Sequence, residues 1–373
     1  MSDQRRLRLA IAGSLILVVV AAAIALVSNG YDAIAYRNAA ERLLATGSPY
    51  QPFQLEGPFD PASPGRFSYL YPPPFALFLT PLLLLPPEAA KLLFAVGSVV
   101  ASLAAFTLVF RHGGLRAAVA FPLAVLAAAV CYPVLDDAIN GNVSALLGLA
   151  VALLISDGAR RSGAAVAAAS LLKLTPAALL PVVLLRGGVA FRATVATGLL
   201  LALPTLPFLA AWADFPVVVA NLAAFGPSQH HASVSPAETA TLLLGSGAYP
   251  PVRALTLAAA GGLALLTLGA TLLRQPTVTL VAALYVSLLL PATLWPHYLI
   301  APAVLTCSLA VRSGGRLRFL LLATGLAALT LPELLALPLL RLPALPLLIA
   351  ASLAAAWRLD DRQRSPRADG TGS

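Results

Sequence analysis

Long uncharged apolar stretches recur along almost the whole chain, and nothing constrains its fold more. A bilayer core about 30 Å thick takes roughly 20 apolar helical residues to cross. In lipid every backbone N–H and C=O must be satisfied internally, which leaves helices or a closed barrel. The stretches here are continuous rather than alternating, so helices are expected. Candidate crossings are 9–27, 88–110, 117–133, 143–156, 190–212, 251–273, 277–294, 298–311, 317–332 and 334–356. The predicted fold class is an all-α polytopic membrane protein, a bundle of about 10–12 transmembrane helices with helices in its outer loops. Residues 1–356 form one integral-membrane domain, 31–87 its first outer loop, and 357–373 a disordered cytoplasmic tail.

Composition agrees. Apolar residues make up 59% of the chain and charged ones 10%, against roughly 45–50% and 25% in soluble domains. Such a chain has too few polar groups to cover itself in water. The net charge of +9 does not point to nucleic acid, because the basic residues sit in short loops between apolar runs, a pattern that orients membrane proteins. "RHGGLR", "DGARRSG", "RGGVAFR", "RQP", "RSGGRLR" and the two tails hold 17 of the 24 Lys and Arg. Ten of the 15 acids, Asp32 first among them, fall on the opposite side with the long loops. Cationic loops stay cytoplasmic, so both termini are expected there and the acidic loops outside. The run from Leu9 to Val27 exceeds the roughly 7–15 residues of a signal-peptide core and reads as an uncleaved span. Cys131 and Cys307 lie inside apolar runs and read as small buried hydrophobes rather than a disulfide or metal pair.

Two segments resist a single crossing. "PPPFALFLTPLLLLPP", 72–87, is short and broken by prolines; it dips in and returns on the outer side, or lies along the interface. "GAAVAAASLLKLTPAALLPVVLL", 163–185, has arginines beyond both ends. It reads as two short helices meeting at "KLTP", since Pro176 pushes residue 175 out of helical geometry. A broken helix within a membrane is tolerated where protein or a wet cavity satisfies its backbone.

The residues able to do chemistry gather on the acidic side. Asp32 opens a short interfacial helix ended by "TGSPY". An acid in a first helical turn is favoured by the helix dipole alone; it is equally placed to act as a general base at the membrane surface. Tyr36 follows one turn later. "RFSYLYPPPF" supplies Arg66, Tyr69 and Tyr71, either interfacial anchors or a platform for a sugar ring with Arg66 available for phosphate. A lysine inside an apolar segment costs about 2.5–3.5 kcal/mol at mid-bilayer on insertion scales. Lys173 therefore needs an anion, a wet cavity or a route to the surface, and a lipid-linked phosphate would serve. Arg341 raises the same question, with no polar neighbour in sequence to support a functional role. "DDAINGN" offers Asn140 and Asn142 for sugar hydroxyls or as helix terminators. "FGPSQHHASVSP" brings together Gln229, His230 and His231, and "LWPHYL" sets Trp295 and His297 at a span boundary. Adjacent histidines without acidic or sulfur ligands nearby argue against zinc. No metal and no other cofactor is expected. There is no D-x-D triad and no glycine-rich phosphate loop, which disfavours nucleotide-sugar chemistry.

Taken in order, "YDAIAYRNAAERLLATGSPY", "YLYPPPFALFLTPL", "GNVSALLGLAVALL", "AAASLLKLTPAALLPVVLL" and "LWPHYL" resemble glycosyltransferase family 87, over about residues 31 to 300. The resemblance implies a GT-C-type bundle and a plasma-membrane enzyme working outside the cytoplasm. Characterised members are α-(1→2)-mannosyltransferases that use polyprenyl-phosphate mannose to build cell-envelope glycolipids. The resemblance further implies Asp32 as catalytic base, with Lys173 and His297 serving the donor phosphate. The expected partners are a polyprenyl-phosphate sugar, a glycolipid or glycan acceptor and the lipid bilayer. The alternative reading is a lipid-linked-sugar transporter or flippase.

Overall fold

The computed structural model describes residues 2–364 except 62, 64, 226–232 and 292, and among them there are helices and turns but no strand. In chain order the α-helices are α1 (Asp3–Val27), α2 (Tyr31–Thr46), α3 (Pro52–Glu56), α4 (Pro73–Phe78), α5 (Pro87–His112), α6 (Ala117–Val130), α7 (Tyr132–Asn140), α8 (Ser144–Ser156), α9 (Ala159–Leu172) and α10 (Leu180–Leu185). Then follow α11 (Gly188–Ala202), α12 (Leu209–Ala224), α13 (Pro236–Leu244), α14 (Tyr249–Leu272), α15 (Pro276–Leu289), α16 (Ile300–Arg312), α17 (Gly315–Leu329), α18 (Leu331–Leu334) and α19 (Arg341–Arg364).

Among the described residues, five helices are long and apolar enough to cross a membrane alone, or six if the bent pair α6–α7 is one span. The ten expected crossings correspond to α1, α5, α6 with α7, α8, α11, α14, α15, α16, α17 and α19. Burial sorts them. From Thr277 to Leu289 every residue of α15 is buried, the signature of an interior helix that is apolar all round. It packs against α14 and α19, while α5 packs against α1, α6, α8 and α16. The outer helices do the reverse: Leu15, Ile16 and Val19 on α1 and Leu265, Leu268 and Leu272 on α14 are exposed. Bare aliphatic surface of this extent is at home against lipid tails and not in water. Small residues let helices approach closely. A Cβ on Gly163 of α9 would run into the Ala190 carbonyl of α11.

The departures from expectation are local and have causes. The crossing expected at 117–133 is bent by 67° between α6 and α7, where Pro133 sits in the first turn of α7. The segment expected at 190–212 continues through a 3₁₀ turn at Leu203–Phe208 as far as Ala224. Within 72–87, α4 and a 3₁₀ turn at Thr80–Leu84 pack against α2 instead of crossing. α19 runs past 357 to Arg364. The reason is Asp360, whose carboxylate accepts from the Thr277 N–H at 3.1 Å and the Val278 N–H at 3.0 Å. It thereby caps the free amides at the start of α15. Cys131 and Cys307 are both free thiols. Arg341 is explained by Glu333, which accepts from it at 2.5 Å.

One feature of the bundle matters for the site. α8 has only 13 residues, about 20 Å of helix at 1.5 Å per residue, less than a full crossing. Its Ser144 end and the Leu172 end of α9 both stop short, and Asn142, just before the one, and Lys173, just after the other, are buried.

Candidate active site

Asp32 is placed by two glycines. Gly30 adopts the left-handed conformation (φ +55°) that turns the chain from α1 into α2, which glycine does without penalty. Gly141, at φ +66°, ends α7 and lies directly against Ala33. A Cβ there would come within 2.7 Å of the Ala33 Cβ. The start of α2 and the loop 141–143 are thus pressed together.

That loop is organised by Asp137, which is buried and accepts from the Ser144 N–H (3.0 Å), the Ala145 N–H (3.2 Å) and the Ser98 hydroxyl (2.5 Å). It satisfies the first amides of α8 and so fixes Asn142. The Asn142 Oδ1 accepts from the amides of Val143 and Ser144, from the Ser144 hydroxyl at 2.9 Å and from Lys173 Nζ at 3.2 Å. With the carbonyl so occupied, Nδ2 is the donor on the other side. It gives hydrogen bonds to Asp32 Oδ2 at 2.7 Å and to the Tyr71 hydroxyl at 3.1 Å.

Lys173 arrives where α9 ends. Its backbone is extended, and the 3₁₀ turn Thr175–Leu179 contains Pro176, so the break anticipated at "KLTP" is present. Nζ also donates to the Ser144 hydroxyl at 2.7 Å and lies 3.6 Å from the centre of the Tyr298 ring. The buried ammonium is held by two oxygens and an aromatic face.

His297 and Tyr298 come from the 3₁₀ turn Pro296–Leu299 ahead of α16. Asp136 Oδ2 accepts from both the His297 backbone N–H (3.2 Å) and ring Nδ1 (2.7 Å). The His297 Nε2 is buried and has no hydrogen-bond partner among the described residues.

These side chains line two adjoining cavities. One, of about 170 Å³, is walled by Asp32, Tyr31, Ser68, Asn142 and His297; the other, of about 520 Å³, by Lys173, Leu174, Leu222, Arg253 and Leu290, among others. Pro61, Leu70, Tyr71, Trp295 and Tyr298 line both. A small polar chamber therefore adjoins a larger, mainly apolar one, with the carboxylate in the first and the ammonium in the second. Burial pushes the Asp32 carboxyl above its ordinary range, opposed by the Asn142 hydrogen bond and Lys173. A carboxyl raised in this way is a stronger proton acceptor when ionised. Among the described residues no three His, Cys, Asp or Glu side chains are grouped to hold a metal ion.

Of the residues singled out in the sequence, Asp32, Lys173, Tyr71, Asn142, Trp295 and His297 come together, although His297 lines the chamber of Asp32 and not that of Lys173. Tyr36 is fully buried one step behind, its hydroxyl donating to Tyr71 at 2.9 Å. Tyr69 is fully buried and donates to the Pro72 carbonyl at 3.0 Å, holding the loop rather than facing a cavity. Asn140 donates to Asp136 at 3.2 Å. Arg66 is exposed, stacks 4.9 Å above the Phe53 ring and lines neither cavity. Gln229, His230 and His231 lie outside the described residues. Sequence reasoning missed Asp136, Asp137, Ser144, Tyr298 and Arg253. The one available signal was the acidic pair in "DDAINGN", two charges at the end of an apolar run, which demand buried partners.

The sequence profile of glycosyltransferase family 87 matches residues 69–302. No curated protein and no solved structure matches the chain.

Proposed function

Given that the chain belongs to glycosyltransferase family 87 and is a membrane glycosyltransferase, we propose that it transfers mannose from a polyprenyl-phosphate donor to a glycolipid or glycan acceptor, with inversion. In this reading the reaction runs at the extracytoplasmic face of the plasma membrane, and the substrates are lipid-borne.

The observation that carries the proposal is the pair of adjoining cavities. A lipid phosphosugar has an apolar tail, one phosphate and a polar ring, in that order. The larger cavity, with Lys173 in its wall, suits the tail and the phosphate; the smaller one, with Asp32, suits the ring and the incoming hydroxyl. Asp32 takes the proton from the acceptor hydroxyl as its oxygen bonds to the anomeric carbon. The bond from that carbon to the phosphate oxygen breaks, and polyprenyl phosphate leaves with the electron pair. The departing phosphate gains negative charge, which Lys173 stabilises inside a low-dielectric wall. One base on one face of the sugar is what inversion requires; a retaining mechanism uses a nucleophile as well. Tyr71, Trp295 and Tyr298 supply the flat surfaces at the junction.

The experiment is transfer from radiolabelled polyprenyl-phosphate mannose by Asp32→Asn in membranes. Loss of a general base costs typically 10²–10⁴-fold in rate, so product should fall by about 10²-fold or more while donor lipid still binds. Unchanged transfer removes Asp32 from the chemistry.

A further inference from the structure

Asp136 belongs to none of the roles above, yet it is buried and both of its carboxylate oxygens accept hydrogen bonds. One oxygen, Oδ2, receives both the backbone N–H and the ring Nδ1 of His297. The other, Oδ1, receives the Asn140 amide at 3.2 Å, and the same amide donates to the Asp136 carbonyl at 3.0 Å. Neither the carboxylate nor the imidazole has freedom to turn. A carboxylate against Nδ1 takes that nitrogen's proton as a hydrogen bond and so selects the tautomer, leaving the lone pair on Nε2. Among the described residues that nitrogen is buried without a partner. A hydrogen on Nε2 would be a buried donor with nothing among the described residues to accept it.

We propose that Asp136 is a positioning residue that locks His297 in the Nδ1–H tautomer, so that Nε2 accepts a hydrogen bond from a substrate hydroxyl in the Asp32 chamber. His297 is then a reader of hydroxyls and not a second donor to the phosphate, in keeping with its place in the wall of the smaller cavity. An unprotonated Nε2 has no hydrogen to offer a phosphate oxygen, whereas sugar and acceptor hydroxyls have one each. The specificity consequence follows: a buried acceptor left unfilled penalises a ligand lacking the matching hydroxyl. Asn140, distant from the cavity in role, acts through Asp136 by pinning its second oxygen. The hydroxyl assignment rests on the sugar-binding use of the chamber proposed above; the tautomer does not.

The test is nitrogen-15 NMR of the histidine side chains in the detergent-solubilised, full-length protein, with His297→Gln assigning the His297 signals. At neutral pH the wild type is expected to show a protonated Nδ1 and an unprotonated Nε2, and Asp136→Asn to lose that pattern. A protonated Nε2 in the wild type, or an unaltered pattern in Asp136→Asn, overturns the proposal. In transfer assays Asp136→Asn should leave the donor KM within about twofold and lower kcat about tenfold, a split that hydroxyl alignment predicts. Asp136→Glu, keeping the charge, should recover part of kcat; a raised donor KM instead would return His297 to the phosphate. Wild-type protein with the expected nitrogen pattern but no mannosyl transfer would overturn the donor assignment while upholding the tautomer.

Discussion

The Asp32 carboxylate and the Lys173 ammonium are joined by a single side chain: Asn142 donates to the first at 2.7 Å and accepts from the second at 3.2 Å. One amide thus sets the spacing between the proposed base and the proposed phosphate ligand, and it stabilises the charged form of both.

Asn142→Ala removes both bonds. Hydrogen bonds to charged groups are worth about 1.5–3 kcal/mol, so transfer is expected to drop by roughly 10–100-fold. A steady-state assay at saturating donor measures this. Loss below twofold would mean that the amide is not used.

The raised Asp32 carboxyl has two consequences of opposite sign. With Asp32 as the proposed base, activity should fall on acidification at a pH above the ordinary carboxylate range, and Asn142→Ala should move that fall to still higher pH by removing a bond to the charged form. Stability runs the other way. A carboxyl whose folded value lies above its unfolded one favours folding fully below the unfolded value, and that contribution is lost as pH rises through the folded value. At neutral pH Asp32→Asn should therefore raise the Tm of the substrate-free protein, and the gain should vanish in acid. A Tm lowered at neutral pH would contradict the buried, unfavourable charge.

Lys173→Ala should weaken donor binding and lower kcat together, by about 10²–10³-fold in kcat/KM, the scale of removing one charge-stabilising group. Lys173→Arg should not rescue it. A planar guanidinium cannot fit the seat formed by Asn142, Ser144 and the Tyr298 face, where a compact ammonium lies 2.7 Å from the Ser144 oxygen. Full rescue by arginine would show that only charge matters.

Gly141→Ala tests how Asp32 is aimed. A methyl group there meets Ala33 at 2.7 Å on a left-handed backbone, so the start of α2 must shift. Transfer is expected to fall at least about tenfold, because Asp32 moves with the start of α2. Such sensitivity to small displacements is usual for positioned catalytic groups.

The Arg341–Glu333 pair is a control away from the cavities. Arg341 is buried and pairs with the part-buried Glu333, so Arg341→Met should lower the Tm. Arg341→Met with Glu333→Gln should recover much of it, and neither variant should change kcat per folded enzyme. A selective loss of kcat in either would give Arg341 a part in the reaction.

What the sequence made legible was whatever lipid forces to be explicit. Apolar runs outlined the helices, because a membrane helix cannot hide its length. Lys173 stood out because a cation in an apolar segment must be satisfied, and Pro176 showed where α9 would stop. Asp32 was marked by its place in a first helical turn. Partnerships across the bundle were not legible. Nothing periodic links Asn142 with Lys173, or Asp136 with His297, since each pair is made by helices remote in sequence. The same blindness favoured Arg66, Tyr69 and Asn140, whose residue types suited substrate but whose side chains are spent on Phe53, Pro72 and Asp136. The bend between α6 and α7 also escaped, although it is what carries Asp136 and Asp137 to the site.

In the proposed reaction one lipid phosphosugar spans both cavities. A cryo-EM map of the protein with a non-transferable polyprenyl-phosphate mannose analogue tests it most directly. The phosphate is expected within hydrogen-bond distance of Lys173 Nζ, the tail in the larger cavity and the sugar's anomeric carbon facing Asp32. A phosphate away from Lys173, or a sugar outside the Asp32 chamber, would contradict it.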